Sequence, residues 1–185
     1  YDDVQLLTYD FDGFLIVSRL SNVPEAKIWG VELSAVGSVT PNITINSGVS
    51  YLPKADYTDY KMGAVLVPAP TGGNVTTLVD LSDTRMIRAP RWQVNLGLTY
   101  AIQLAQGEFK LAGNYAYTSR YFFTPGENKV QDQQALLSAR ASWKLPASDL
   151  EFSVFATNIL DEEYFINAAN SSAGDNGVWG QPRQI

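Results

Sequence analysis

The chain has no cysteine and no histidine among its 185 residues, and only 2 methionines. Without Cys, no disulfide can form and no thiolate can hold zinc, haem iron or an iron–sulfur cluster. Without His, imidazole acid–base chemistry and Ser–His or Cys–His nucleophile activation are unavailable in this segment. Positive charge is scarce too: 13 Lys and Arg stand against 19 Asp and Glu, a formal charge of −6. Phosphate-backbone binding needs clustered cations, so nucleic acid is not an expected partner. No apolar run reaches the roughly 18 residues that a membrane-spanning helix needs. A membrane-spanning β-barrel stays open, because only every second residue of a barrel strand faces lipid.

What is present is two-residue alternation, the period of a strand with unlike faces. Trp29, Val31, Leu33, Ala35, Gly37 and Val39 oppose Gly30, Glu32, Ser34 and Ser38. Ile43, Ile45, Val49 and Tyr51 oppose Thr44, Asn46, Gly48 and Ser50; Trp92, Val94, Leu96, Leu98 and Tyr100 oppose Gln93, Asn95, Gly97 and Thr99. The same pattern recurs over 109–118, 135–145 and 150–157. A short strand over Tyr1–Thr8 and one just beginning at Trp179–Ile185 complete the set. The expected fold is all-β and antiparallel, with about seven complete strands and the start of an eighth.

Between strands, Asp10–Gly13 reads as a turn and Phe14–Ala26 as mostly loop. Residues 53–90 are long for a connection, with room for an extra hairpin around Val75–Leu81. Arg120–Gln133 and Asp161–Val178 read as loops. Connections near 40, 105 and 147 are short, whereas those at 10–26, 53–90, 120–133 and 161–178 are long. Strict alternation of short and long connections is what periplasmic turns and extracellular loops produce in an outer-membrane barrel. Eight rises of about 3.3 Å from Trp92 to Tyr100, tilted by about 40°, cover roughly 20 Å of depth. That fits between two aromatic girdles. Phe109, Trp143 and Phe152 fall near the periplasmic side; Trp29, Tyr51, Tyr115 and Tyr117 fall near the outer one. The polar face then lines a wet lumen. There Glu32, Arg140 and Lys144 are expected to be paired structural charges, and Gly48, Gly97 and Gly113 to relieve crowding or permit curvature.

Four segments carry a family resemblance. Asn158-Ile-Leu-Asp-Glu-Glu-Tyr-Phe165 resembles the "N-L-x-D-x-x-Y" signature near the C-terminus of TonB-dependent outer-membrane receptors. Ala26-Lys-Ile-Trp-Gly-Val-Glu-Leu33 resembles that family's "A-x-x-x-G-x-E" strand, and Arg88-Ala-Pro-Arg-Trp92 the lead-in to a descending strand. Gly180-Gln-Pro-Arg183 resembles the "G-x-P-R" that opens the final strand, so Asn158, Asp161, Tyr164, Gly180, Pro182 and Arg183 are the motif residues. The resemblance implies that residues 1–185 are the C-terminal segment of a barrel of about 22 strands, with the N-terminal plug domain outside this chain. It further implies energy-coupled uptake of a scarce nutrient, first of all a ferric siderophore, across the bacterial outer membrane. The implied partners are outer-membrane lipid and lipopolysaccharide, the barrel assembly machinery, the TonB–ExbB–ExbD complex acting through the plug, and a small-molecule nutrient such as a metal chelate.

No catalytic residue, resident metal or cofactor is expected. Asp161-Glu-Glu163 reads as a solvated strand end rather than a metal or glycosidase site. Ligand contacts belong in the outer loops, where Tyr57, Tyr60, Arg85, Arg88, Arg120, Tyr121, Phe122 and Phe123 supply cationic and aromatic groups suited to anionic or catecholate ligands. Arg120 reads equally as a girdle residue. Asn-x-Ser/Thr triplets at Asn42, Asn74 and Asn170 are read as coincidental. A passive porin, a small eight-stranded barrel and a soluble β-sandwich are the competing readings, and an enzyme barrel would need its catalytic groups elsewhere.

Overall fold

The structure, a computed structural model, describes residues 2–12, 15–146 and 148–185, with side chains for all of these except 7–12 and 15–18. In chain order the strands are β1 (Asp2–Asp12), β2 (Leu15–Thr40), β3 (Ile43–Asp59), β4 (Gly63–Pro68), β5 (Asn74–Val79), β6 (Trp92–Leu104) and β7 (Gly107–Thr118). Then come β8 (Tyr121–Phe122), β9 (Val130–Gln131), β10 (Gln134–Lys144), β11 (Glu151–Ala156), β12 (Phe165–Ser171) and β13 (Gly174–Trp179). Seven of them form one sheet in the order β1-β2-β3-β6-β7-β10-β11, every neighbour antiparallel. This is an up-and-down meander, with β4–β5, β8–β9 and β12–β13 as separate two-stranded ladders inside its long connections.

Register places the two faces as the alternation predicts. Tyr51 lies opposite Trp92, Leu96 opposite Tyr115, and Trp143 opposite both Phe109 and Phe152. The Tyr51 and Trp92 rings stack with centroids 4.1 Å apart. Phe109, Trp143 and Phe152 form a row across β7, β10 and β11 near the short turns, where the Trp143 indole N–H donates to Gln106 O at 3.0 Å. Between the two aromatic rows the apolar face is open: Leu96, Leu98, Leu111 and Val154 are all exposed, Val154 at 73 %. A soluble sandwich would bury that face, and a continuous apolar surface of this extent is one that soluble monomers rarely carry. The geometry is that of a wall facing lipid.

Several expectations need correction. Residues 15–26 are not loop: they are the outer part, nearly half, of the 26-residue β2. Strand β1 pairs only with that part, from Asp2 opposite Glu25 to Asp12 opposite Leu15, so it stands beyond the Trp29–Tyr51–Trp92 level and does not cross the apolar band. The Asp10–Gly13 turn is strand through Asp12, and Gly13 is outside the described residues. The hairpin inside 53–90 is Gly63–Pro68 with Asn74–Val79, earlier than expected. Residues 161–178 hold the β12–β13 hairpin, and Trp179 ends that hairpin rather than opening a new strand. Beyond the hairpin, Gln184 makes a single antiparallel bridge to Thr157.

The buried core is small and sits at the outer end. Leu6, Val23, Ala26, Tyr57, Tyr60, Val65 and Leu81 form one cluster, flanked by Val4, Val67, Val79, Met86 and Ile87. Hydrophobic burial therefore fixes the extracellular connections, whereas the band between the girdles is held by backbone ladders, as lipid requires.

Of the three glycines Gly48, Gly97 and Gly113, only Gly97 is in a crowded position. A Cβ at Gly48 would meet nothing, and one at Gly113 only Ser138 O at 3.8 Å; one at Gly97 would strike the Asn46 amide, the end of a side chain that can turn aside. The tight position is Gly30, where a Cβ would sit 2.6 Å from Tyr51 O beside a bulge that sets Trp29 opposite Lys54 but Val31 opposite Tyr51. Gly30→Ala is therefore expected to destabilise the folded barrel by about 1–3 kcal/mol, and Gly97→Ala by much less. Urea unfolding of the full-length protein in detergent checks the difference.

Candidate functional site

The outer connections are built on the extended end of β3. The segment 84–91 returns along it antiparallel: Tyr57 N–H donates to Thr84 O (3.0 Å), Met86 N–H to Ala55 O (2.8 Å) and Leu52 N–H to Arg91 O (2.8 Å). Arg85 clamps this ladder. Its Nη2 donates to Leu52 O (2.6 Å), its Nε to Ala89 O (2.8 Å), and Nη1 lies 3.7 Å from Asp56 Oδ1, while its own amide donates to Glu127 Oε1 (3.0 Å). Asp56 is also paired with Lys54 at 2.8 Å.

Of the eight residues expected to meet ligand, four are enclosed. Tyr57 is 1 % exposed, packed edge-to-face on Tyr60 at 5.6 Å, and burial pushes its phenol up to about 12 despite a bond with the Ile87 backbone. Tyr60 and Phe123 are buried, and Arg85 is spent on backbone and Asp56. The other four remain at least partly accessible. Arg88, at φ 52, donates its amide to Phe122 O (2.8 Å), sets its guanidinium 5.4 Å over the Phe123 ring, and donates from Nη2 to Asn167 Oδ1 (2.7 Å). Tyr121 meets Phe123 edge-on at 5.1 Å, and the Arg120 guanidinium lies 5.5 Å over Phe122. The result is two cation–aromatic clusters on opposite faces of β8, Arg88 and Tyr121 about the buried Phe123 ring and Arg120 over Phe122.

The three long connections are also joined to each other. Asp175 Oδ1 accepts from Asn74 Nδ2 (3.1 Å) and Asn170 Nδ2 (2.7 Å), and Oδ2 from Lys129 Nζ. Asn74 further donates from Nδ2 to Ser171 O (2.8 Å) and from its amide to Ser172 O (3.0 Å). Asn128 Nδ2 donates to Leu66 O (3.2 Å), and Phe165 N–H to Gln131 Oε1 (2.7 Å). Sequence inspection singled out Asn74 and Asn170 only as glycosylation triplets and passed over Asp175 and Lys129. Both asparagines are buried with their amides committed, and the one sequence signal was two Asn and an Asp beside glycine-rich tips.

The Lys129 hydrogen bond holds the Asp175 carboxyl below its usual range against the opposing effect of burial, and the Asn74 and Asn170 amides lower it further. A depressed pKa contributes stability that is complete above the unfolded value, near 3.9, and is lost as pH falls through the lower folded value. Protection of the Asn74 amide, corrected for intrinsic exchange, is therefore expected to be level from pH 7 to pH 5 and to fall only below about pH 4.

On the polar face of the sheet, Glu32 accepts from Ser50 Oγ at 3.4 Å. Arg140 reaches Glu151 at 3.6 Å and Ser153 Oγ at 3.1 Å across β10–β11. Lys144 stands in register between Glu108 and Glu151.

The motif residues form a corner where the last segment meets β11. Asn158 is buried at φ 47; its Nδ2 donates to Glu162 O (2.9 Å) and Gln181 O (3.0 Å), and its Oδ1 accepts from Glu162 N–H (2.9 Å). Asp161 pairs with Arg183 at 3.1 Å. The Tyr164 ring lies flat against Gly180, where any Cβ would collide with it, and Gly180 N–H donates to Tyr164 O at 2.7 Å. Pro182 lies beside them, lining with Tyr164, Trp179 and Gly180 a shallow cleft.

An antiparallel meander with an outward apolar face, aromatic rows at both ends of it and interlocked loops at one end defines an outer-membrane β-barrel wall. The family model described as "TonB dependent receptor-like, beta-barrel" matches residues 1–159. The chain belongs to that family, a class of outer-membrane transport receptors rather than enzymes. Among solved structures it is similar to the siderophore receptor PiuA from Acinetobacter baumannii (TM-score 0.70, 17 % identity, 98 % of this chain and 23 % of that one). It is also similar to the ferric yersiniabactin uptake receptor FyuA from Yersinia pestis (0.69, 16 %, 89 % and 23 %). A third is BauA, the ferric preacinetobactin receptor of Acinetobacter baumannii (0.59, 21 %, 98 % and 24 %). The chain thus spans about a quarter of the length of these receptors. No curated protein matches it significantly.

Proposed function

We propose that this chain is the C-terminal barrel segment of an energy-coupled receptor that takes up a scarce nutrient, a ferric siderophore first among the candidates. The observation that carries the reading is the pair of accessible guanidinium groups, Arg88 and Arg120, each set over an aromatic ring of the outer connections above a lipid-facing wall. Guanidinium groups over aromatic rings suit anionic, catecholate-bearing chelates. The named uptake functions of the similar receptors agree with it. In this reading an N-terminal plug fills the lumen against Glu32, Arg140 and Lys144, the TonB–ExbB–ExbD complex pulls on that plug, and lipopolysaccharide surrounds the outer girdle.

The test is uptake of iron-55 chelates by cells carrying or lacking the full-length gene, with and without a protonophore. Gene-dependent, protonophore-sensitive uptake of a ferric chelate is expected. Gene-dependent uptake that survives the protonophore would replace the reading with a passive porin. No uptake of any chelate, with binding of another nutrient, would keep the receptor and remove the siderophore.

A further inference from the structure

We propose that Asp175 is a latch that fastens the tips of three separate outer connections into a single lid, which opens as one unit. The tip of the β12–β13 hairpin meets the tip of the β4–β5 hairpin, residues about a hundred positions apart in sequence: Asn74 spans them with its amide on Ser172 O and its Nδ2 on both Ser171 O and Asp175. Gly73, at φ +72, lies so close to Ser172 O that a Cβ there would collide with it. Lys129 brings the third connection to the free oxygen of the same carboxylate. Asn170, from within the β12–β13 hairpin, orients that carboxylate toward Asn74.

Two further bonds make the three a closed loop of contacts. Asn128 holds β4 through Leu66 O, and Gln131 holds β12 through the Phe165 amide. Each hairpin alone is a two-stranded ribbon, marginal in water. None is bonded into the seven-stranded sheet as a ladder partner. Val65 also anchors β4 in the outer core, so it is the tips beyond that core whose order depends on one another, and the acceptor shared by all three connections is the place where that dependence concentrates. Loss of this acceptor removes the one carboxylate on which donors from all three connections converge and leaves only the Asn74 bonds to Ser171 O and Ser172 O and the Asn128 and Gln131 bonds, so the three tips loosen together. The latch does not depend on which molecule the receptor carries.

The test is hydrogen–deuterium exchange of the full-length receptor in detergent, wild type against Asp175→Ala. Exchange over 69–79, 127–131 and 165–179 is expected to rise together by about tenfold, with β6 and β7 unchanged. A rise confined to 165–179 would overturn the proposal. A second measurement needs no loss of the latch: spin labels at the exposed positions Thr71 and Ala173 are expected to give one narrow distance. A broad distribution, as from two independent hairpins, would overturn it equally.

Discussion

Asn158→Ala is expected to leave most of the full-length receptor unfolded or uninserted. Its side chain satisfies two carbonyls, Glu162 O and Gln181 O, and the Glu162 amide, all at a buried corner. Each group orphaned there costs about 1–3 kcal/mol. Alanine at φ 47 adds about 1 kcal/mol of backbone strain that asparagine largely escapes. The sum, on the order of 4 kcal/mol, is a large share of a membrane barrel's margin. Asn158→Asp keeps the acceptor but turns a carboxylate toward two carbonyls, so it should recover little. Asp161→Asn is the contrast. Its pair with Arg183 is half exposed, such pairs contribute at most about 1 kcal/mol, and asparagine suits the φ of 58 there. The fraction of heat-modifiable, folded receptor in outer-membrane preparations reads all three. If Asp161→Asn proved the more damaging, the corner would be held by the ion pair instead.

Arg85→Ala carries the second large effect. The change removes donors from Leu52 O and Ala89 O and leaves Asp56, whose side chain is 18 % exposed, with Lys54 alone. Breaking a largely buried pair by removing one partner costs about 3–5 kcal/mol. The loss falls on segment 84–91, so amides of Tyr57 and Met86 should exchange at least about a hundredfold faster, while β6, β7, β10 and β11 keep their protection. Arg85→Lys should not rescue, since one ammonium cannot serve two carbonyls and a carboxylate in that planar arrangement. A ligand-contacting Arg85 would behave differently: ligand affinity would drop with protection unchanged.

The wall was legible because a membrane strand repeats one simple rule. Alternation over Ile43–Tyr51 and Trp92–Tyr100 shows both faces, whereas the register, Tyr51 opposite Trp92, appears only in the structure. The loops follow no such rule. Residues 15–26 break the alternation because, once above the bilayer, both faces of β2 can be covered: Val23 and Ala26 have opposite parity and are both fully buried. Pro24 disguised a strand that continues through it. Tyr57, Tyr60 and Phe123 were chosen as ligand contacts for their chemistry, and the same apolar rings are what a small outer core needs. Asp175 and Lys129 were invisible because their meaning lies in partners supplied by other connections. The motif residues were recognised as a pattern, but their work, a buried amide and a glycine under a tyrosine ring, is visible only in three dimensions.

The most direct test of the central claim is oxygen and nickel-chelate accessibility of spin labels placed one at a time from Gln93 to Tyr100 in the full-length receptor in a lipid bilayer. Val94, Leu96 and Leu98 are expected to show high oxygen and low nickel accessibility, with Gln93, Asn95, Gly97 and Thr99 showing the reverse or low values of both. Uniformly low oxygen accessibility at 94, 96 and 98, as in the dry core of a sandwich, or a maximum on the odd positions, would contradict a lipid-facing barrel wall.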